Sequence, residues 1–341
     1  MATNPVLRRR IAAIHRWCGI GLGAGFLMVA VTGATLVFRP QLEHAPLAHC
    51  PAPLPLDTLI ANARAVSPQA GPLRFVRLAE NANTRVRFDD GTWIDVDPCS
   101  GAVRGKQALY GGAFGTAAWV HIYSYVDGHE TVAGSFAAVF ALLMLGGGAY
   151  LWWPANLKVL RNGLRFKRGL SGRAFMYNAH KTVAQYAAPV LFTSAVTGMF
   201  QAFSWGAQPA LPAVVANGSG QASAESMWRA VQAQLPTPHK VQMRFPQGDG
   251  AVLFEVVAAD APHANAVSYV AVDPHSAAIL GSTEYARNSI IHRVSLTAAA
   301  LHYGWIGGIA GQCLLFLGAL AVPFLAFTGI SSFLRRNRKA P

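Results

Sequence analysis

Four histidines stand at matched spacings beside long apolar runs in this chain of 341 residues, and paired imidazoles in such places can hold a metal-centred group. His15 precedes Thr32-Gly33 by 17 residues, and His180 precedes Thr197-Gly198 by 17. His121 leads Gly147 by 26, and His302 leads Thr328 by 26. Val96-Asp97-Pro98-Cys99-Ser100 returns as Val272-Asp273-Pro274-His275-Ser276, and Gly105 returns as Gly281. The offset between the copies steps from 165 to 176 to 181, so one layout is written twice with short insertions.

Matched positions in a duplicated bundle face each other across a pseudo-twofold. That places His15 against His180 at one membrane face and His121 against His302 at the other. Two neutral imidazoles facing each other between helices are what a bis-histidine b-type haem requires, so the four are candidate axial ligands of two haems. A single interfacial histidine would more simply touch headgroups or join an aromatic belt. The matching favours the ligand reading. His129 and His292 have no counterpart and are second-tier candidates. His44, His49, His239, His263 and His275 lie in polar segments and read as solvated. Zinc recruits three or four close ligands, usually including Cys, Asp or Glu, and no HExxH motif is present. Gly19, Gly21, Gly23 and Gly25 follow no strand, so they read as close helix packing rather than a dinucleotide loop. Gly146-Gly147-Gly148 reads the same way.

These ligands need helices to carry them. A composition of 52% hydrophobic and 13% charged residues suits membrane spans plus polar lobes. A hydrocarbon core of roughly 30 Å takes about 20 helical residues. Stretches free of Asp, Glu, Lys and Arg predict spans over 17–38, 131–153, 182–205 and 311–334. Residues 1–16, 154–181 and 335–341 carry Lys and Arg without any acid, and all 15 acidic residues fall in 39–130 and 206–310. The positive-inside bias then puts both termini and the 154–181 loop in the cytoplasm, with the two long segments on the far side. The net charge of +13 is thereby a topology signal, and nucleic acid is not an expected partner. The first span reads as an anchor rather than a cleaved leader. Cys50 and Cys99 fall on the far side and are candidates for a disulfide if that side is oxidising; Cys18 and Cys313 read as buried apolar residues. No CxxCH or four-cysteine pattern is present, which argues against covalent haem and iron–sulfur clusters.

The far-side segments read as one helix against an antiparallel sheet, twice. The first has a helix over 55–67, strands over 73–78, 85–88 and 93–96, and a hairpin at Asp89-Asp90-Gly91. The second has a helix over 222–234, strands over 240–245, 252–258 and 267–272, and a turn at Gly248-Asp249-Gly250. Each lobe, with its hydrophobic-Asp-Pro-x-Ser turn, resembles a PepSY domain. Ile14-His15-Arg16-Trp17 running to Thr32-Gly33, Leu151-Trp152-Trp153-Pro154, and Leu301-His302-Tyr303-Gly304 with Gly311-Gln312 and Thr328-Gly329 resemble the spans of the PepSY-associated transmembrane family. The resemblance covers almost the full length.

The fold expected is a four-transmembrane-helix bundle with pseudo-twofold internal duplication, plus two small periplasmic α+β PepSY-like lobes. The family includes inner-membrane reductases of iron–siderophore complexes. The resemblance therefore implies an oxidoreductase with haem b, two per chain. It would move electrons from a cytoplasmic or quinol donor to a periplasmic Fe(III)–siderophore and release Fe(II). Its partners would be that complex, membrane lipid and an unidentified electron donor. Arg74, Arg77, Arg85, Arg87, Arg104 and Arg244 are candidates to meet an anionic chelate, with Trp93, Tyr110, Trp119 and Tyr269 to pack on it. Two other classes fit the resemblance: a membrane-anchored PepSY regulatory or binding module, and a cytochrome b subunit serving another acceptor.

Overall fold

A computed structural model describes residues 4–43, 50–153, 157–206, 220–235 and 238–337. His44, His49, Arg338 and Lys339 lie outside the described residues. In chain order the helices are α1 (Pro5–Gly21), α2 (Gly23–Val37), α3 (Arg39–Glu43), α4 (Leu56–Ala65), α5 (Gly112–His121), α6 (His129–Val139), α7 (Gly147–Trp152), α8 (Leu157–Gly163), α9 (Gly172–Ala202), α10 (Ala224–Gln234), α11 (Ile290–His302) and α12 (Gly308–Asn337). The strands are β1 (Leu73–Ala79), β2 (Thr84–Phe88), β3 (Trp93–Val96), β4 (Val103–Gln107), β5 (Pro238–Arg244), β6 (Val252–Ala258), β7 (Val267–Val272) and β8 (Ile279–Thr283). The chain divides into a helical unit, residues 1–38, 117–205 and 298–341, and an α+β unit, residues 39–116 and 206–297.

Among the described residues, three helical stretches are long and apolar enough to cross a membrane: His129–Trp152, Gly172–Ala202 and Gly308–Arg335. Leu142, Leu314, Leu317 and Phe327 are exposed on them, as lipid-facing side chains are. The expected span over 17–38 is not one straight helix. It begins at Pro5, where Asn4 Oδ1 accepts the Val6 amide at 2.9 Å, and it bends by 64° at Leu22 into α2. Gly21 and Gly23 flank the bend, and glycine is where a helix most cheaply bends. The packing reading of the glycines holds for part of the run. A Cβ at Gly19 would meet the Met144 side chain at 3.1 Å, and one at Gly25 would meet the Phe136 ring. At Gly21 and Gly23 a Cβ would meet nothing within 4 Å, although Gly23 is buried, so the bundle leaves room there. A second irregularity is a π-helical stretch, Phe140–Gly146, which joins α6 to α7. Phe26, Leu191 and Val322 form the apolar centre, with Phe136 and Phe140 packed around Phe26 at ring separations of 4.7 and 4.9 Å.

The two expected lobes are not separate. Their strands form one eight-stranded antiparallel sheet, in the order β4-β3-β2-β1-β5-β6-β7-β8. Each half is a meander, and the halves join where β1 pairs with β5, Val76 opposite Met243. An isolated four-stranded lobe would leave β1 and β5 as open edges, and pairing them satisfies both rows of backbone groups. The fourth strand of each half escapes the sequence pattern because each is an edge strand without a buried face; β4 alternates half-buried and exposed. The remaining strands and both helices fall where the alternation placed them. Helices α4 and α10 cover one face, and Leu59, Val76, Phe88, Ile94, Val231, Met243 and Phe254 share one core beneath them.

The two helices cap each other. Asp57 on α4 accepts the Ala224 and Glu225 amides at 2.9 and 3.2 Å, and Glu225 on α10 accepts the Leu56 amide at 2.9 Å. Cys50 and Cys99 form a disulfide, Cα to Cα 5.8 Å. The place of Cys99 in the other half belongs to His275, whose Nδ1 meets the Gly220 carbonyl at 2.5 Å. The Asp-Pro-x-Ser turns are structural. Asp97 accepts the Cys99 and Ser100 amides, each at 3.0 Å, and Arg104 at 2.7 Å. The Arg104 guanidinium and the Ser100 amide hold the Asp97 carboxyl down to about 2.

Replacing Asp57 by Ala is expected to cost about 1 kcal/mol. It should raise amide hydrogen exchange at 224–227, while Glu225→Ala should raise it at 56–59. Because the Asp97 pKa is depressed, its tie is whole above the ordinary carboxylate value of about 3.9 and is lost as pH falls through about 2. Carboxyl ¹³C titration should find Asp97 moved up towards the ordinary value in Arg104→Ala.

Candidate functional site

The helical unit brings the four matched histidines together in two pairs. The His15 and His180 rings lie 6.4 Å apart between centroids, and the His121 and His302 rings 6.2 Å. His15 is carried by α1 and His180 by α9, while His121 ends α5 and His302 ends α11.

Each ring is held through Nδ1 by a backbone carbonyl of another helix. His121 Nδ1 donates to Val29 O on α2 at 3.0 Å, and His302 Nδ1 to Ser194 O on α9 at 3.0 Å. His180 Nδ1 donates to Leu325 O on α12 at 3.0 Å, and His15 Nδ1 to Leu143 O in the π-helical stretch at 3.3 Å. A carbonyl only accepts, so Nδ1 carries the proton and Nε2 keeps its lone pair. Threonine hydroxyls reinforce three of the four. Thr32, Thr197 and Thr328 lie 3.2, 3.3 and 3.2 Å from the Nδ1 of His121, His302 and His180. Each of those hydroxyls already donates to the carbonyl four residues back in its own helix, so it too meets Nδ1 as an acceptor. Nε2, on the opposite ring edge, has no hydrogen-bond partner among the described residues.

The glycines of the motif make room for the rings. A Cβ at Gly33 would stand 2.9 Å from His121 Cε1, at Gly198 3.1 Å from His302 Cε1, at Gly329 3.3 Å from His180 Cε1, and at Gly148 3.4 Å from His15 Cε1. This explains the repeated spacing. Helix α9 carries His180 at one level and the Ser194-Thr197-Gly198 seat of His302 at the other. The α1–α2 pair carries His15 and the Val29-Thr32-Gly33 seat of His121. From His180 to Ser194 the α9 axis rises about 21 Å, so the pairs occupy two levels of the bundle. The fourth seat differs. Gly147 stands where Thr328 stands in the other copy, and the π-helical stretch presents Leu143 O with the Met144 carbonyl beside it.

This geometry fits a metal between each pair. A metal bound to two imidazole nitrogens at about 2 Å each puts the ring centroids about 6 Å apart. Nδ1–H on a carbonyl is the outer support that metal-bound histidines normally have. Among the described residues no group of three or more His, Cys, Asp and Glu is placed to hold a metal ion, so a closed zinc site is not built.

The second-tier histidines do not join either pair. His129 Nε2 lies 3.4 Å from Glu130, and His292 Nε2 meets Tyr269 OH at 3.0 Å inside the α+β unit. His263 meets Tyr285 and Thr297, and His239 lies beside Glu80. The candidate docking residues are gathered only in part. Arg77, Arg85, Arg87 and Arg244 share one sheet face with Trp93 and Tyr269. Arg74 pairs with Asp89, Arg104 belongs to the Asp97 turn, and Trp119 packs on Tyr125 in the helical unit. The threonine anchors and the carbonyl seats are site residues that reasoning on the sequence left without a role. Their signal was the constant histidine-to-Thr-Gly spacing, which marks them but not what they hold.

A membrane bundle holding two imidazole pairs, in a chain that also builds a paired α+β sheet, defines a membrane protein with candidate cofactor sites inside its helices. The profile of the PepSY-associated TM region family matches residues 12–336, and the chain belongs to that family. A comparison with curated proteins finds no match.

Gly33→Val is expected to push the His121 ring off Val29 and leave the His15–His180 pair in place. Spectra of ¹⁵N-histidine-labelled protein should then lose the hydrogen-bonded Nδ1–H signal of His121 and keep those of His15, His180 and His302.

Proposed function

We propose that the protein is a di-haem b-type electron-transfer protein of a bacterial inner membrane, an oxidoreductase that reduces Fe(III)–siderophore on the periplasmic side and releases Fe(II). The observation that carries this reading is the pair of imidazole pairs, each at a metal-bridging separation with Nδ1 committed to a carbonyl. His15 and His180 would hold one haem, and His121 and His302 the other. Haem b would supply a one-electron couple there, and an iron held by two imidazoles would favour outer-sphere electron transfer. The chain's own part is to fix the tautomer, orient four rings and keep the space between the levels apolar through Phe26, Phe136 and Phe140. The matched seats, the mirrored strand order and the two Asp-Pro turns support an internal duplication with a pseudo-twofold. The acid-free basic segments support cytoplasmic termini and a periplasmic α+β unit. No flavin- or nicotinamide-binding pattern is legible in the sequence, so the donor is a separate cytoplasmic partner or a quinol.

A membrane-anchored binding module would leave the imidazole pairs without a role. A cytochrome b subunit with another acceptor is separated from this reading by acceptor assays.

Purified protein should give a reduced-minus-oxidised spectrum of low-spin b-type haem, with about two haems per chain. His180→Ala should remove one haem and leave the other. Unchanged stoichiometry in that variant, or no haem in protein from haem-replete cells, would remove the proposal.

A further inference from the structure

The four histidine seats are not equivalent, and the inequality sorts by level. At the His121–His302 level both rings have two acceptors on Nδ1. These are Val29 O at 3.0 Å with Thr32 Oγ1 at 3.2 Å, and Ser194 O at 3.0 Å with Thr197 Oγ1 at 3.3 Å. At the other level His180 has the same kind of seat, Leu325 O at 3.0 Å with Thr328 Oγ1 at 3.2 Å. His15 has no hydroxyl among the described residues, only Leu143 O at 3.3 Å with the Met144 carbonyl beside it. The hydroxyls are fixed as acceptors, because Thr32, Thr197 and Thr328 donate to Met28 O, Thr193 O and Phe324 O at 2.7, 2.7 and 2.8 Å. Those bonds alone would satisfy a threonine inside a helix; they do not require its oxygen to lie on a ring nitrogen as well. The ring planes differ too: His15 and His180 cross at 85°, His121 and His302 at 50°.

An imidazole whose Nδ1–H is held by more and closer acceptors is a stronger donor at Nε2, and a stronger donor favours the higher charge of a metal it binds. Hydrogen bonds around the axial ligands are one of the levers that set the potential of a haem iron. On this ground the His121–His302 site would hold an oxidised iron more firmly than the His15–His180 site. The ring planes act in the same direction. An oxidised low-spin iron has a hole in one of two π-type d orbitals. Crossed imidazoles keep those orbitals close in energy. Rings nearer to one plane split them, and the hole in the raised orbital stabilises the oxidised ion. Gly147, where the other copy has Thr328, is the position that withholds the fourth hydroxyl. A Cβ there would lie 3.8 Å from His15 Nδ1 and 3.7 Å from the Ile11 side chain, so the seat has room for one.

We propose that the threonine hydroxyls set the two sites at different potentials: Thr32 and Thr197 make His121–His302 the lower, and Gly147 keeps His15–His180 the higher. This assignment rests on the di-haem reading and adds a division of labour to it. An electron from the donor rests at the His15–His180 level, and the His121–His302 level is the stronger reductant. One level loses the electron as the other gains it, and the donor and the ferric chelate are the terminal reductant and oxidant. The threonines are positioning residues, since they act on the iron only through the histidines.

The test is a spectroelectrochemical titration of the haem-loaded full chain, with electron paramagnetic resonance of its oxidised form. The native chain should show two one-electron steps and two low-spin ferric signals, the species of larger g anisotropy being reduced first. Thr32→Val and Thr197→Val should each shift the lower step about threefold towards the reduced form, and together about tenfold, which is about 59 mV for one electron. Thr32→Ser keeps the hydroxyl and should leave the lower step at its native value. Gly147→Ser should lower the upper step and leave the other in place. Haem-free protein gives a second readout. The Nδ1–H proton of His121 should move to higher field in ¹H–¹⁵N spectra of Thr32→Val and hold its position in Thr32→Ser. Coincident native steps, a lower step unmoved in Thr32→Val, an upper step unmoved in Gly147→Ser, or a Thr32→Ser shift as large as that of Thr32→Val would each overturn the proposal. Any of these would leave the di-haem reading standing. A native chain from haem-replete cells that holds no haem would overturn both.

Discussion

The hydrogen bond from histidine Nδ1 to a carbonyl of a neighbouring helix is the constraint on which the helical unit turns. It is made four times, and each time it joins two elements far apart in sequence. It satisfies a polar group that would otherwise be costly inside a bundle, and it fixes the tautomer that leaves Nε2 with a lone pair. The glycines beside the rings and the threonines beside Nδ1 follow from it. Without a Cβ the ring can lie on the helix, and with a hydroxyl the Nδ1–H gains a second acceptor. His15 is the exception, since Gly147 replaces the threonine and the π-helical stretch delivers the carbonyl. Irregular helical turns of this kind recur at functional sites.

In the α+β unit the governing constraint is the open strand edge. A four-stranded meander cannot leave β1 or β5 unpaired without exposing a row of backbone groups, and joining the meanders removes both edges at once. The reciprocal caps of Asp57 and Glu225 then lock α4 and α10 over the junction. The Asp-Pro-x-Ser turns that mark the two halves in the sequence are local devices: each aspartate ties the backbone amide two residues on, Cys99 in one half and His275 in the other. Their recurrence is a record of architecture rather than of chemistry.

The same sheet separates two uses of arginine that look alike in the sequence. Arg104 and Arg74 meet single carboxylates at the sheet's margin and serve the fold. Arg77 and Arg87 lie in adjoining rows on the sheet face opposite α4 and α10, over the Trp93 and Phe75 rings. Only the strand register distinguishes the two groups, because it decides which arginines share a face.

The sequence by itself determined the membrane class, helices α4 and α10 and six of the strands of the α+β unit, the turns, and the four histidines with their constant spacing to Thr-Gly. These are written in local periodicity and in repetition, which any one segment carries without reference to the rest. It did not determine that α1 and α2 bend at Leu22, that the two sheets are one, or that Cys50 and Cys99 join. Nor did it determine what the Thr-Gly pairs hold. The edge strands β4 and β8 escaped because strands with no buried face show little hydrophobic alternation. The tertiary structure decided which imidazole meets which, and which carbonyl fixes each tautomer. Those are contacts between residues separated by about a hundred positions or more, and the free energy that selects them comes from packing and desolvation across the assembled unit, which no local pattern encodes.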